Sequence, residues 1–225
     1  LMFGLESSLH PFIGHPSYKD ISHLPLNERL SIMRDPAFKQ KILNESPSFR
    51  EDLQKAAKEQ KSNKTKEEIK AEAEIGKKLI SNYETQFILS DPPNYEPTRE
   101  DSIAYLAEQR NQSEEEVIYD ELIKDNGKSL IYACFTSYEN HKLEFVETFY
   151  KLKSSIAGGS DGGAHCGLIC DASMPTTNLS HWARDRSAGN KIPLELIIRK
   201  QTKDTAETYG LFDSCLLYTS DAADD

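Results

Sequence analysis

The chain has 225 residues, 37% of them hydrophobic and 28% charged, with a formal net charge of −10. That length suits one or two domains, the acidity argues against a nucleic-acid-binding surface, and no apolar run reaches the roughly 18 residues a membrane span needs. The cysteines fall at 134, 166, 170 and 215; the odd number ahead of the C-terminal tail disfavours a disulfide framework and fits a reducing, cytoplasmic setting.

In chain order, residues 1–9 open as a short strand carrying Met2, Phe3 and Leu5. His10-Pro11 and His15-Pro16 then impose extended geometry on the residue before each proline, and the two histidines are placed at the mouth of a site without a ligand role. Residues 25–45 predict two short helices split at Asp35-Pro36, where the carboxylate caps and the proline takes the first turn. Residues 48–81 read as helix, with nine bases and seven acids between Arg50 and Lys78. Their apolar stripe is thin and can bury on one side at most, which fits a lid, a partner-binding helix or a plain surface excursion. Residues 87–99 are a proline-rich connection and 100–110 a helix. Ser113-Glu114-Glu115-Glu116 is a capping box that opens a helix ending near Asn126-Gly127. Eleven acids and three bases lie in 91–127, so the acidity is local and reads as a solvated face. Leu130 to Phe135 is a near-continuous apolar run, as in a buried parallel strand. Lys142 to Lys153 is an amphipathic helix, Ser155-Ile156-Ala157 a second strand, and a last helix runs from Pro193 to Gly210. The order of helices and strands suggests βα units and an α/β fold.

The chemistry concentrates in Gly158-Gly159-Ser160-Asp161-Gly162-Gly163-Ala164-His165. A strand end feeds a carboxylate flanked by glycines that let a ligand approach the backbone, with an imidazole four residues on. At the end of a barrel strand such a carboxylate reads as catalytic; otherwise the segment is a Gly-Asp turn. His181-Trp182-Ala183-Arg184-Asp185-Arg186 adds arginines suited to a carboxylate or to internal ion pairs, and Asp171 caps a turn. A serine hydrolase is the catalytic rival, with Ser160 as nucleophile in a G-x-S-x-G elbow followed by Asp171 and His181. Gly162-Gly163 is a poor start for the helix that elbow requires. Cys166 and Cys170 have no second Cys/His pair to complete a metal set and read as small semi-buried side chains. A non-catalytic interaction module through helix 48–81 is the other alternative.

These two blocks, with Thr202-Lys203-Asp204-Thr205-Ala206-Glu207-Thr208-Tyr209-Gly210-Leu211, carry a resemblance, as do the upstream pieces Ser8-Leu9-His10-Pro11-Phe12, His15-Pro16-Ser17-Tyr18, Leu24-Pro25-Leu26-Asn27-Glu28-Arg29 and Asn94-Tyr95-Glu96-Pro97. Over nearly all of residues 1–213 the chain resembles the N-acyl-D-amino-acid deacylases (D-aminoacylase-like, amidohydrolase family 3) of the amidohydrolase superfamily. The resemblance implies the C-terminal part of a metal-dependent hydrolase (β/α)8 barrel, with a helical lid-like insertion at roughly 10–98 that includes the charged helix. It implies hydrolysis of the amide bond of N-acyl-D-amino acids or related small molecules. It further implies a divalent metal, zinc above all, whose ligands lie mostly upstream; the family's His-x-His pair is absent from this sequence.

Asp161 then corresponds to the acid of the last barrel strand, a proton shuttle that can also touch a metal. Ser160, Gly162, Gly163, His165 and Arg184 become candidate substrate contacts. One departure concerns specificity: the family's His-rich, arginine-bearing loop reads Gly163-Ala164-His165-Cys166-Gly167-Leu168 here, with no arginine before Arg184. Residues 214–225 resemble translated sequencing-adapter read-through, hold three of the negative charges (Asp221, Asp224, Asp225) and are set aside from the fold. A chain of this content is expected to be inactive alone, with neither nucleic acid nor membrane as partner.

Overall fold

Two antiparallel pairings build the one sheet seen in the computed structural model, which describes residues 1–7, 9–47, 65–134, 138–160 and 171–212. The chain divides into two units, Leu1–His141 and Lys142–Asp225. In the first, β1 (Met2–Phe3), β2 (Gln86–Ile88) and β3 (Ile131–Ala133) are ordered β1-β3-β2, with Met2 opposite Tyr132 and Phe87 opposite Tyr132 on the other side.

The apolar run at Leu130 to Phe135 therefore does contain a buried strand, but an antiparallel one. Ile131 and Ala133 are buried, and a central strand of a small sheet demands the same apolar composition as a parallel strand. Composition reports burial, whereas direction depends on which distant segments pair. The partners here are the chain start and a three-residue strand that overlaps the start of the stretch read as a proline-rich connection.

Helices of the first unit follow their local signals. α1 spans Pro16–Ile21, α2 Leu26–Met33 and α3 Pro36–Leu43. Asp35 caps α3 as expected, its carboxylate accepting from Ala37 N at 2.9 Å, with Pro36 in the first turn. α4 (Lys66–Ser81) opens on a reciprocal capping box between Thr65 and Glu68; residues 48–64 of the expected long helix lie outside the described residues. α5 spans Ile103–Arg110 and α6 Glu114–Leu122, where Ser113 accepts from Glu116 N. The Glu116 side chain turns instead to Lys39 Nζ at 2.8 Å. After α6 the chain turns through Asn126 (φ 55°) and Gly127 (φ 76°), both left-handed. Leu26 and Leu30 crowd the space a Cβ on Gly127 would fill, at 3.1 Å. The core centres on Phe3, Phe12, Tyr18, Met33, Phe87 and Tyr119, each at most 2% exposed. Each such side chain contributes about 1.5–3 kcal/mol through removal from water. Phe12 meets Tyr119 edge to face at 5.3 Å, and the Tyr119 hydroxyl donates to Met33 O at 2.7 Å.

The second unit is helical where described: α7 (Glu144–Lys151), the short α8 (Met174–Thr177), a π-helical stretch Asn178–Asp185, α9 (Leu194–Gln201) and α10 (Lys203–Thr208). Trp182, Ile192 and Ile197 form its small core, with Leu143, Val146 and Tyr150 packed around them. Two expectations are corrected. Ser155-Ile156-Ala157 is extended coil with Ile156 39% exposed, not a paired strand; no strand lies beside it among the described residues, and an extended segment becomes a strand only by pairing. The last helix is two helices, broken at Thr202 (φ −121°, ψ −85°). Its end at Gly210 holds, with φ +75°.

The fold is thus mixed, helices with a small sheet. No helix among the described residues is long and apolar enough to cross a membrane.

Candidate functional site

The chain leading to Ser160 runs as a coil from Leu152 beside α7 and α9. Lys200 on α9 is 3% exposed. Its Nζ donates to Leu152 O at 2.6 Å and Ser155 O at 2.5 Å and lies 3.4 Å from Asp204 Oδ2. One ammonium thereby fixes the coil that carries the chain from α7 toward Ser160. Beyond it, Gly158 and Gly159 are exposed and no described residue lies within 4 Å of where a Cβ on either would stand, which leaves room for close approach to the backbone. A cavity of about 200 Å³ lies along this coil, lined mainly by Val146, Phe149, Tyr150, Ile156, Met174 and Lys200. A second of about 370 Å³ touches Gly158, Gly159 and Tyr209. Both walls are largely apolar, and the cation among them is committed to backbone carbonyls.

Of the residues singled out, Ser160 sits half-buried at the end of this coil. Asp161, Gly162, Gly163, His165, Cys166 and Cys170 lie outside the described residues. Arg184 is exposed, and its fork is taken by its neighbour: Nε and Nη2 donate to the two carboxylate oxygens of Asp185 at 2.7 and 2.8 Å. That bidentate pair holds the Asp185 carboxyl below its ordinary range. Arg186 is 2% exposed, stacks over the Trp182 ring at 4.4 Å, and donates to Glu147 Oε2 at 3.1 Å and Asn190 O at 2.6 Å. It is an internal brace. Asp171 begins a 3-10 turn, Asp171–Ser173, on the surface.

His10 and His15, expected at a mouth, are interior: 1% and 6% exposed, against Tyr18 and Phe12 respectively. Their rings fill core volume that the His-Pro pattern alone does not reveal. Glu147 and Lys200, which organise the second unit, were not singled out from sequence. The signals available were their i,i+4 pairs with Lys151 and Asp204, which are common on helices and do not announce burial.

Among the described residues no group of three or more His, Cys, Asp or Glu could hold a metal ion. No protein-family model matches the chain, and neither a curated protein nor a solved structure shows significant similarity to it.

Proposed function

We propose that the chain contributes the acid-bearing C-terminal portion of a metal-dependent amidohydrolase that deacylates N-acyl-D-amino acids or related amides. The observation that carries this reading is the block Gly158 to His165, in which a carboxylate is bracketed by glycines, together with the open backbone at Gly158 and Gly159. In the reaction, Asp161 takes a proton from water as the water oxygen bonds to the amide carbonyl carbon. It returns that proton to the nitrogen as the C–N bond breaks, leaving a carboxylic acid and an amine. The finer fold in this reading is the end of a (β/α)8 barrel with a lid that includes α4. Its zinc ligands come from polypeptide beyond this chain, and its setting is cytoplasmic.

The test joins the chain to the upstream sequence of its own reading frame and follows hydrolysis of N-acetyl-D-amino acids with and without zinc. Residues 1–213 alone are expected to be inactive and the joined protein active. Asp161→Asn should lower kcat by about 10²–10⁴-fold, the usual worth of a positioned acid–base group. Full activity in Asp161→Asn, or loss confined to Ser160→Ala, would overturn the reading in favour of a serine nucleophile.

A further inference from the structure

We infer that His10, His15 and Arg29 form an acid-sensitive latch, in which proton uptake by the buried imidazoles releases residues 9–18 from α2 and opens the first unit at its N-terminal end. The geometry starts from Arg29, whose Nη1 donates to Leu5 O at 2.7 Å and to the Tyr18 hydroxyl at 2.8 Å. The Tyr18 hydroxyl in turn donates to Leu5 O at 3.2 Å. His10 stands edge-on to the Tyr18 ring at 4.6 Å, and His15 leans on Phe12 at 5.4 Å. Among the described residues, Nδ1 of His10, Nδ1 of His15 and Nε of Arg29 are buried and accept or donate no hydrogen bond. A proton added at His10 Nδ1 would create a buried N–H⁺ with no acceptor among the described residues, which a folded interior resists.

The surroundings assign different weights to the two rings. His10 faces cationic Arg29 and the second imidazole. The Glu6 carboxylate is 3.9 Å from that guanidinium and 70% exposed. His15 faces Glu45, beyond α3, the backbone at Phe12 and Pro11, and Glu115, on α6, all of which favour its charged form against the effect of burial. His10 is therefore the principal lock and His15 the weaker one.

Burial first, then Arg29 and His15, push the His10 ring down from 6.5 to about 3. A group whose folded pKa is depressed gives stability that is full above its unfolded value and drains away as pH falls toward the folded one. The window is thus pH 6.5 down to about 3. Between pH 7.5 and 4.5 the opening equilibrium should rise on the order of 100-fold from His10 alone.

Two measurements on the full chain test this. Nitrogen NMR of the imidazoles should find His10 neutral at pH 5, and amide exchange over residues 11–18, corrected for intrinsic rates, should show the rise. His10→Gln and His10→Phe should each remove most of it. A His10 ring that titrates with an ordinary value in the folded chain, or a variant that folds and keeps the full rise, would sink the latch. If neither variant folds, the NMR titration of the unaltered chain decides.

Discussion

Glu147 holds three partners on one carboxylate: Lys151 Nζ at 2.6 Å and Asn190 Nδ2 at 3.1 Å on Oε1, and Arg186 Nη1 at 3.1 Å on Oε2. The Lys151 bond, then Asn190 and Arg186, hold its carboxyl down at about 2, below the ordinary 4.5. A depressed carboxyl contributes stability above its unfolded pKa and loses it as pH falls through the folded one. The second unit should therefore keep this contribution at pH 5 and lose it between about 4.5 and 2. Urea titrations of the parent chain and of Glu147→Gln check this: the variant should unfold earlier at neutral pH, and the gap should close as pH drops through that window. The order of residues allowed internal ion pairs for these arginines but did not join them to Glu147. Arg186 lies 39 positions from Glu147, and a local pattern cannot say which of two nearby arginines turns inward. Arg184 and Arg186 read alike in sequence, yet one pairs on the surface with Asp185 and the other stacks on Trp182.

At the scale of elements, the coil from Leu152 to Ser160 depends on a tether from α9 rather than on strand pairing. Lys200→Met keeps the apolar stem and removes the ammonium that donates to Leu152 O and Ser155 O, so that Leu152 O is left with only the Ser155 amide and hydroxyl. Loss of hydrogen bonds from a charged group costs about 2–3 kcal/mol, and the thermal midpoint of the second unit should fall accordingly; an unchanged midpoint would mean the tether contributes nothing. The elements that sequence announced are those with local punctuation: Asp35-Pro36 before α3, Ser113 before α6, Asn126-Gly127 after it. Each encodes its end in a side chain that bonds its own backbone or tolerates a left-handed φ. β2 escaped because three residues are too few to show an alternation. The break at Thr202 escaped because neither glycine nor proline marks it; Thr205 Oγ1 instead bonds Lys200 O across the break at 2.8 Å. The parallel direction expected for β3 failed because burial and pairing direction are separate properties. Of the candidate site, the glycine-flanked acid is legible as a motif, and its approach is visible only in structure, since Lys200 and Ser155 are 45 residues apart.

For the molecule as a whole, the two units carry different kinds of core. The first buries large side chains from β1 through α6, whereas the second rests on a small cluster and leaves Phe145, Phe149, Leu194 and Ile198 between 46% and 56% exposed. Stability tracks buried apolar area, so the second unit should unfold first. Calorimetry should resolve two transitions, and Ile197→Ala should move only the lower one. The position of the one indole in the chain has a practical consequence. Trp182 belongs to the small cluster of the second unit, so tryptophan fluorescence reports the unfolding of that half alone. Far-ultraviolet ellipticity senses helices in both halves. Heating curves recorded by the two optical signals should separate, with the emission changing at the lower temperature; superimposed curves would mean that the chain unfolds as one cooperative body.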